Sequence, residues 1–154
     1  MRRFSFLAGT AAIALMVSPA LSARAADRIL VVCPFAQSEG VPAGTGTSVA
    51  EAIAAEIAAL GGVTVQRAPA TLKPAQYRTF ARDAGADFYF SGSVAPVGGS
   101  FSALEQLVTV RGGTVQWSVS TQFRTVADLH GQGALVHDQI IHVPTPQPIP
   151  NYTP

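Results

Sequence analysis

Ile29-Leu30-Val31-Val32-Cys33, closed by Pro34-Phe35, is the stretch whose reading decides the fold. An unbroken apolar run, without the alternation of a strand wetted on one side, is the form of a strand covered on both faces within a parallel sheet. Pro34 ends it. Working outward, residues Gln37 to Thr47 carry Gly40, Pro42, Gly44 and Gly46 and read as a loop. Ser48-Val49-Ala50-Glu51 then has capping-box spacing, in which a hydroxyl and a carboxylate reciprocally satisfy two free amide donors, so a helix is expected to open there. Val49, Ile53, Ile57 and Leu60 recur along one face of that helix, and Gly61-Gly62 stops it.

Val63-Thr64-Val65-Gln66 alternates as a second strand. A second helix from about Pro74 to Ala84 places Tyr77, Phe80, Ala81 and Ala84 on one face and halts at Gly85. Phe88-Tyr89-Phe90 with Val94 makes a third strand, loosened by Gly92 and ended near Gly98-Gly99. Two further runs, Leu104 to Val110 and Val115 to Phe123, flank Arg111-Gly112-Gly113-Thr114. With Gly112-Gly113 as a two-residue turn, Val110 is expected to face Val115 and Val108 to face Trp117, all on one face of a hairpin. A last helix is expected around Ala127 to Ile141, weakened at its start by Gly131 and Gly133. The order βαβαβββα implies an α/β domain with a mixed parallel and antiparallel sheet and helices packed on it, the first units joined by right-handed crossovers.

Met1-Arg2-Arg3 and the apolar run from Phe4 to Val17 read as the opening of a secretory signal, too short for a bilayer helix, with Ala23-Arg24-Ala25 as its A-x-A cleavage site. Residues 1–25 are thus expected to be a signal peptide, 26–142 the domain and 143–154 a Pro-rich tail in extended, disordered conformation. The chain of 154 residues carries a formal charge of +1. Cleavage removes Arg2, Arg3 and Arg24 and no acid, so seven basic residues face nine acidic ones and the charge becomes −2. The seven are scattered, only Lys73, Arg78 and Arg82 lying close in sequence, which argues against nucleic acid as a partner and against stable membrane insertion. One cysteine excludes an internal disulfide, while 48% apolar and 12% charged residues exclude a disordered polyelectrolyte. A periplasmic or otherwise exported protein is expected.

With these pieces in order, the chain resembles the small α/β domain at the N-terminus of the periplasmic protein TolB and its relatives, including FlgO-like and curli-export CsgG-like envelope proteins. The resemblance is carried by the first strand ending in Pro34-Phe35 and by the helix Ser48 to Leu60. It continues through Gly85-Ala86-Asp87-Phe88-Tyr89-Phe90-Ser91-Gly92-Ser93-Val94, the hairpin ending in Gly113 and Trp117-Ser118, and Ala127-Asp128-Leu129. It spans roughly residues 28 to 141. The hairpin lacks the Asp and Thr usual before its Gly, and the loop after Phe35 is longer and richer in glycine than in those relatives. The resemblance implies a non-enzymatic envelope module working by protein contact.

Gly44-Thr45-Gly46-Thr47-Ser48 follows a strand and opens a helix, so its free amides and the helix dipole offer a site for a phosphate or carboxylate. It is no nucleotide signature, because Val49 stands where a third glycine is needed and no Lys precedes Thr47 or Ser48. Capping and loop flexibility also account for these residues. His130 and His137 stand seven residues apart, about 10 Å along one helix, too far to share a metal, and His142 lies near the helix end. Cys33 reads as a buried, inert thiol and Trp117 as core. No catalytic set, metal or cofactor is expected. The leading expectation is an adaptor that contacts an envelope protein through a sheet edge beside the hairpin; the alternative is a small-anion or nucleotide-like ligand sensor using Gly44 to Ser48.

Overall fold

In the computed structural model, which describes residues 27–143, the apolar run forms β1 (Arg28–Val32). It lies between two parallel neighbours, β3 (Val63–Arg67) and β4 (Phe88–Val97), with Leu30 opposite Val65 on one side and Phe88 on the other. Leu30 and Val32 point into one apolar cluster, Val31 and Cys33 into another. That is the double coverage the unbroken apolar run requires. The expected signal peptide with its cleavage near Ala25, and the tail beyond Val143, lie outside the described residues.

The sheet order is β3-β1-β4-β5-β6, with β5 at Ser100–Thr109 and β6 at Val115–Phe123, and the two-residue β2 (Ala36–Gln37) pairs with β4 beside β1. Helices α1 (Thr45–Leu60) and α3 (Gln132–His142) cover one face, α1 through Val49, Ile53 and Ile57 and α3 through Val136 and Ile140. Helix α2 (Tyr77–Asp83), entered by a 3₁₀ turn at Pro74–Gln76, covers the other face through Tyr77 and Ala81, and Tyr77 Oη donates to the carbonyl of Pro34 at 2.5 Å. The architecture is the mixed-sheet α/β fold in the element order expected, with β2 added.

Four local expectations are corrected. Helix α1 begins at Thr45, with Gly44 at φ 84° as its N-cap, so Ser48 and Glu51 form no capping box. The local winner is the turn at Pro42, whose carbonyl takes both the amide and the hydroxyl of Thr45, and Glu51 instead meets Arg67 at 2.5 Å. Leu60, expected on the buried face, is 52% exposed beyond the end of the sheet contact. The second hairpin is wider than two residues: Val108 pairs with Val115 and Leu107 with Trp117, across a register shift between Leu107 and Val108. Val110 is drawn away because its amide continues the ladder to the carbonyl of Asp87 and its side chain joins the α2 cluster. Finally, residues Ala127 to Ile141 are not one helix. A 3₁₀ turn at Val126–Leu129 stops at His130, and Gly131, at φ 93°, restarts the chain as α3.

Candidate functional site

The two ends of the sheet are built differently. At the β3 end the strand is five residues long and packs beside α1. At the other end β6 reads Val115-Gln116-Trp117-Ser118-Val119-Ser120-Thr121-Gln122-Phe123, nine residues with no charge and no proline. Nine residues at about 3.3 Å each make an edge of about 30 Å. Its inner side is fully paired with β5, and among the described residues no strand pairs with its outer side. Edges are ordinarily blunted by charge, proline or a bulge, because their open amides and carbonyls recruit other strands. Here the irregularity sits only at the hairpin end, between Leu107 and Val108.

Period-2 alternation decides what flanks that edge. Trp117, Val119, Thr121 and Phe123 turn toward the helical side, where Phe123 is buried against Phe101 with ring centroids 5.7 Å apart and Trp117 is half-buried. Trp117 therefore lies at the rim of the core and not within it. Ser118, Ser120 and Gln122 are exposed on the opposite face, and the hydroxyls of Ser102 and Ser120 meet at 2.9 Å. Helix α2 does not reach this far, so β5 and β6 show solvent a serine- and glutamine-rich face with Leu104 at 41% exposure.

Sequence reasoning missed Glu105. On β5 it shares a face with Ala103 and Leu107, stands opposite Gly92 on one side and Val119 on the other, and is 0% exposed. Neither carboxylate oxygen has a hydrogen-bond partner of ordinary geometry, the Thr121 hydroxyl acting on it only weakly. Burial pushes its carboxyl up to about 7, against a smaller downward pull from the Thr121 hydroxyl. The signal was present, since alternation through Ala103 and Leu107 puts residue 105 inward.

Gly44, Thr45, Gly46, Thr47 and Ser48 form the approach and first turn of α1. Gly46 lies so close to β1's exit that a Cβ there would come within 2.3 Å of the Phe35 carbonyl. No side chain caps this helix start. The histidines are dispersed: His130 Nδ1 lies 2.8 Å from Glu56, His137 Nε2 2.7 Å from the Gly61 carbonyl, and His142 Nδ1 3.1 Å from Asp138. The one-helix spacing expected for His130 and His137 does not apply, because the break at Gly131 separates them. Among the described residues no group of three His, Cys, Asp or Glu side chains is arranged to hold a metal. Cys33 is buried, and desolvation pushes its thiol up to about 12.

Glu56 has a structural task. Its oxygens accept the amides of Gly131 and Gly133 at 2.9 to 3.1 Å, so a side chain of α1 caps the start of α3. Burial pushes its carboxyl up, but these amides and His130 outweigh that and hold it below the ordinary carboxylate range. Gly133 permits the contact, since a Cβ there would meet Glu56 Cβ at 2.3 Å.

No protein-family profile matches the chain, and no curated protein matches it by sequence. Solved structures do match by shape. A PelC dodecamer from Paraburkholderia phytofirmans superposes with a TM-score of 0.53 at 21% identity over 74% of this chain and 84% of that one. The C-terminal domain of LpoB from Escherichia coli gives 0.55 at 17% identity, covering 64% and 84%. TolB from Acinetobacter baumannii gives 0.52 at 15% identity over 74% of this chain but 27% of TolB, so the likeness is to one part of that protein. No helix among the described residues is long and apolar enough to cross a membrane. The chain shares its α/β fold with PelC, LpoB and a portion of TolB.

Proposed function

We propose that this chain is an exported, non-enzymatic α/β module of the TolB N-terminal-like, FlgO- and CsgG-like kind, released by cleavage near Ala25, which works by contacting an envelope protein. The carrying observation is the nine-residue, uncharged outer edge of β6. An extended segment of the partner adds to that edge, main-chain hydrogen bonds supplying affinity and the alternation of Trp117 and Val119 against Ser118 and Ser120 supplying specificity. The fold shared with LpoB and TolB supports an envelope adaptor. The PelC structure is a dodecamer, so a second copy of this chain is a partner worth scoring in the same experiment.

The test is photo-crosslinking in cells from a reactive residue at Ser118 or Ser120, with Glu51 on the far side of the molecule as the control position. A discrete adduct from β6, lost on changing Ser118 and Ser120 to Lys in a chain that still folds, is the expected result. Equal labelling from Glu51, or adducts indifferent to the added charges, rejects the edge. N-terminal sequencing of the protein recovered from the periplasm checks the cleavage site.

The alternative reading, a small-anion sensor at Gly44, Thr45, Gly46, Thr47 and Ser48, is supported by the start of α1, which no side chain caps. It predicts that phosphate or a nucleotide at about 100 times its dissociation constant stabilises the protein by about 2.7 kcal/mol. A melting temperature unmoved across such a panel rejects it.

A further inference from the structure

Of the seven basic residues between positions 26 and 154, three meet at one place that neither reading above uses. Arg78 and Arg82 stand four residues apart on α2, a spacing that puts both on one helical face. Arg111 reaches them from the loop between β5 and β6, and the three line a cleft of about 430 Å³ with Gly85, Ala86 and Val110.

Arg78 is fixed in place. Its Nε donates to the carbonyl of Val110 at 3.0 Å and its Nη2 to the carbonyl of Arg111 at 2.9 Å, while Nη1 lies beside Gly113, where a Cβ would come within 2.9 Å. Both acceptors are neutral, so these bonds orient the guanidinium without cancelling its charge. A guanidinium has five N–H donors, so the remainder stay available. Among the described residues Arg82 meets only Asp83, at 3.6 Å with both side chains about 70% exposed, a geometry that contributes little. The Arg111 side chain has no partner among the described residues. Asp87, next to Ala86, is engaged elsewhere, accepting the amide of Ile29 at 2.9 Å. Three like charges are thus gathered around a cleft with one loosely held carboxylate nearby.

We propose that this cleft binds a small organic oxyanion bearing two or more negative charges, a phosphomonoester or a polycarboxylate. Arg78 serves as the pre-oriented fork, matched to the paired oxygens of such a group, and Arg82 and Arg111 close on it from the helix and the loop. The volume falls within the range of small-ligand sites and exceeds the space for one bare ion.

The experiment is an NMR titration of the purified protein at constant ionic strength with glucose 6-phosphate, with citrate and, as the neutral control, with glucose. Expected are saturable shifts centred on the amides of Gly85, Arg111 and Gly113 for one or both anions and none for glucose. Affinity should fall at least tenfold in Arg82→Gln and in Arg111→Gln, whose side chains hold nothing in the fold, and stay unchanged in Arg124→Gln. Response to the phosphate alone or the citrate alone assigns the ligand's class. Shifts that never saturate, or that survive both cleft substitutions, overturn the proposal. Neither outcome bears on the β6 edge, and a response centred on Gly44 to Ser48 instead would credit the helix start and reject the cleft.

Discussion

Glu105 makes the stability of this protein depend on pH in a direction opposite to that of most carboxylates. Its carboxyl goes from an ordinary 4.5 in the open chain to about 7 in the fold, raised by burial between Gly92 and Val119. Between those two values the folded protein keeps a proton that the unfolded chain has released. Stability therefore falls as pH rises through this window, by about 1.4 kcal/mol per pH unit, and is unaffected by this group below 4.5, where both states are protonated. Across the whole window the loss comes to about 3 kcal/mol, a large share of the 5–15 kcal/mol typical of a domain. Urea unfolding at intervals from pH 5 to pH 8 reads it directly. With a slope of about 1.5 kcal/mol/M, the midpoint should drop by about 2 M. Glu105→Gln keeps the shape and removes the titration, so its midpoint should be nearly level over the same range. The wild-type curve minus the Gln curve isolates this carboxyl from every other group. A difference that stays flat, or that grows more favourable to the wild type as pH rises, refutes the reasoning and would mean that the carboxylate is solvated or paired when ionised.

Three further outcomes follow from particular contacts. Gly133→Ala drives a methyl to 2.3 Å from Glu56 Cβ, so α1 and α3 must separate, and a loss of about 1–3 kcal/mol is expected in thermal or urea unfolding. Glu56→Ala removes the cap that α1 supplies to α3 and should cost about 0.5–2 kcal/mol at neutral pH. Because the folded pKa of Glu56 is depressed, that contribution is complete above its unfolded value of 4.5 and is lost as pH falls through the folded value, so the gap between wild type and variant should close in acid. Cys33, its thiol pushed up to about 12, should resist iodoacetamide at pH 8 in the folded protein and react readily in urea; quick labelling of the native state would contradict its burial.

The helices and strands that were legible in the sequence are those whose pattern and environment coincide. The run Ile29 to Cys33 is buried on both sides, Val49, Ile53 and Ile57 on one, and both appear where expected. The boundaries failed where a distant partner decides. Helix α1 starts at Thr45 because the Pro42 carbonyl captures that residue. The hairpin opens at Val110 because Asp87, on another strand, takes its amide. Helix α3 starts late because Glu56 on α1 is there to cap it. The candidate sites divide in the same way. A sheet edge beside the hairpin was an expectation of the sequence, whereas the arginine cleft was not legible there, since Arg111 is far in sequence from Arg78 and Arg82 and it is the carbonyls of Val110 and Arg111, with the buried Val110 side chain, that bring the loop to the helix.

The same unevenness explains why function should be sought on one half of the sheet. Strands β3, β1 and β4 are clamped by α1 and α3 on one face and α2 on the other, and these elements hold most of the buried residues of both apolar clusters, to which β5 and β6 add Ala103, Leu107 and Phe123. Strands β5 and β6 extend past α2 with a polar face open to solvent. This hairpin is held by its ladder to β4 and by Ala103, Leu107 and Phe123 in the core, while among the described residues no strand pairs with its outer edge, whose open amides and carbonyls can recruit one. Glu105 sharpens the point. A fully buried carboxyl, with no hydrogen bond of ordinary geometry to either oxygen, lies on β5, the strand with which the edge strand β6 pairs. If a partner strand adds to β6, it extends the ladder on the outer side of β5 and β6. Binding should then raise hydrogen-exchange protection in β5 and β6 more than in β1 and β3, and uniform protection across the sheet would place the partner elsewhere.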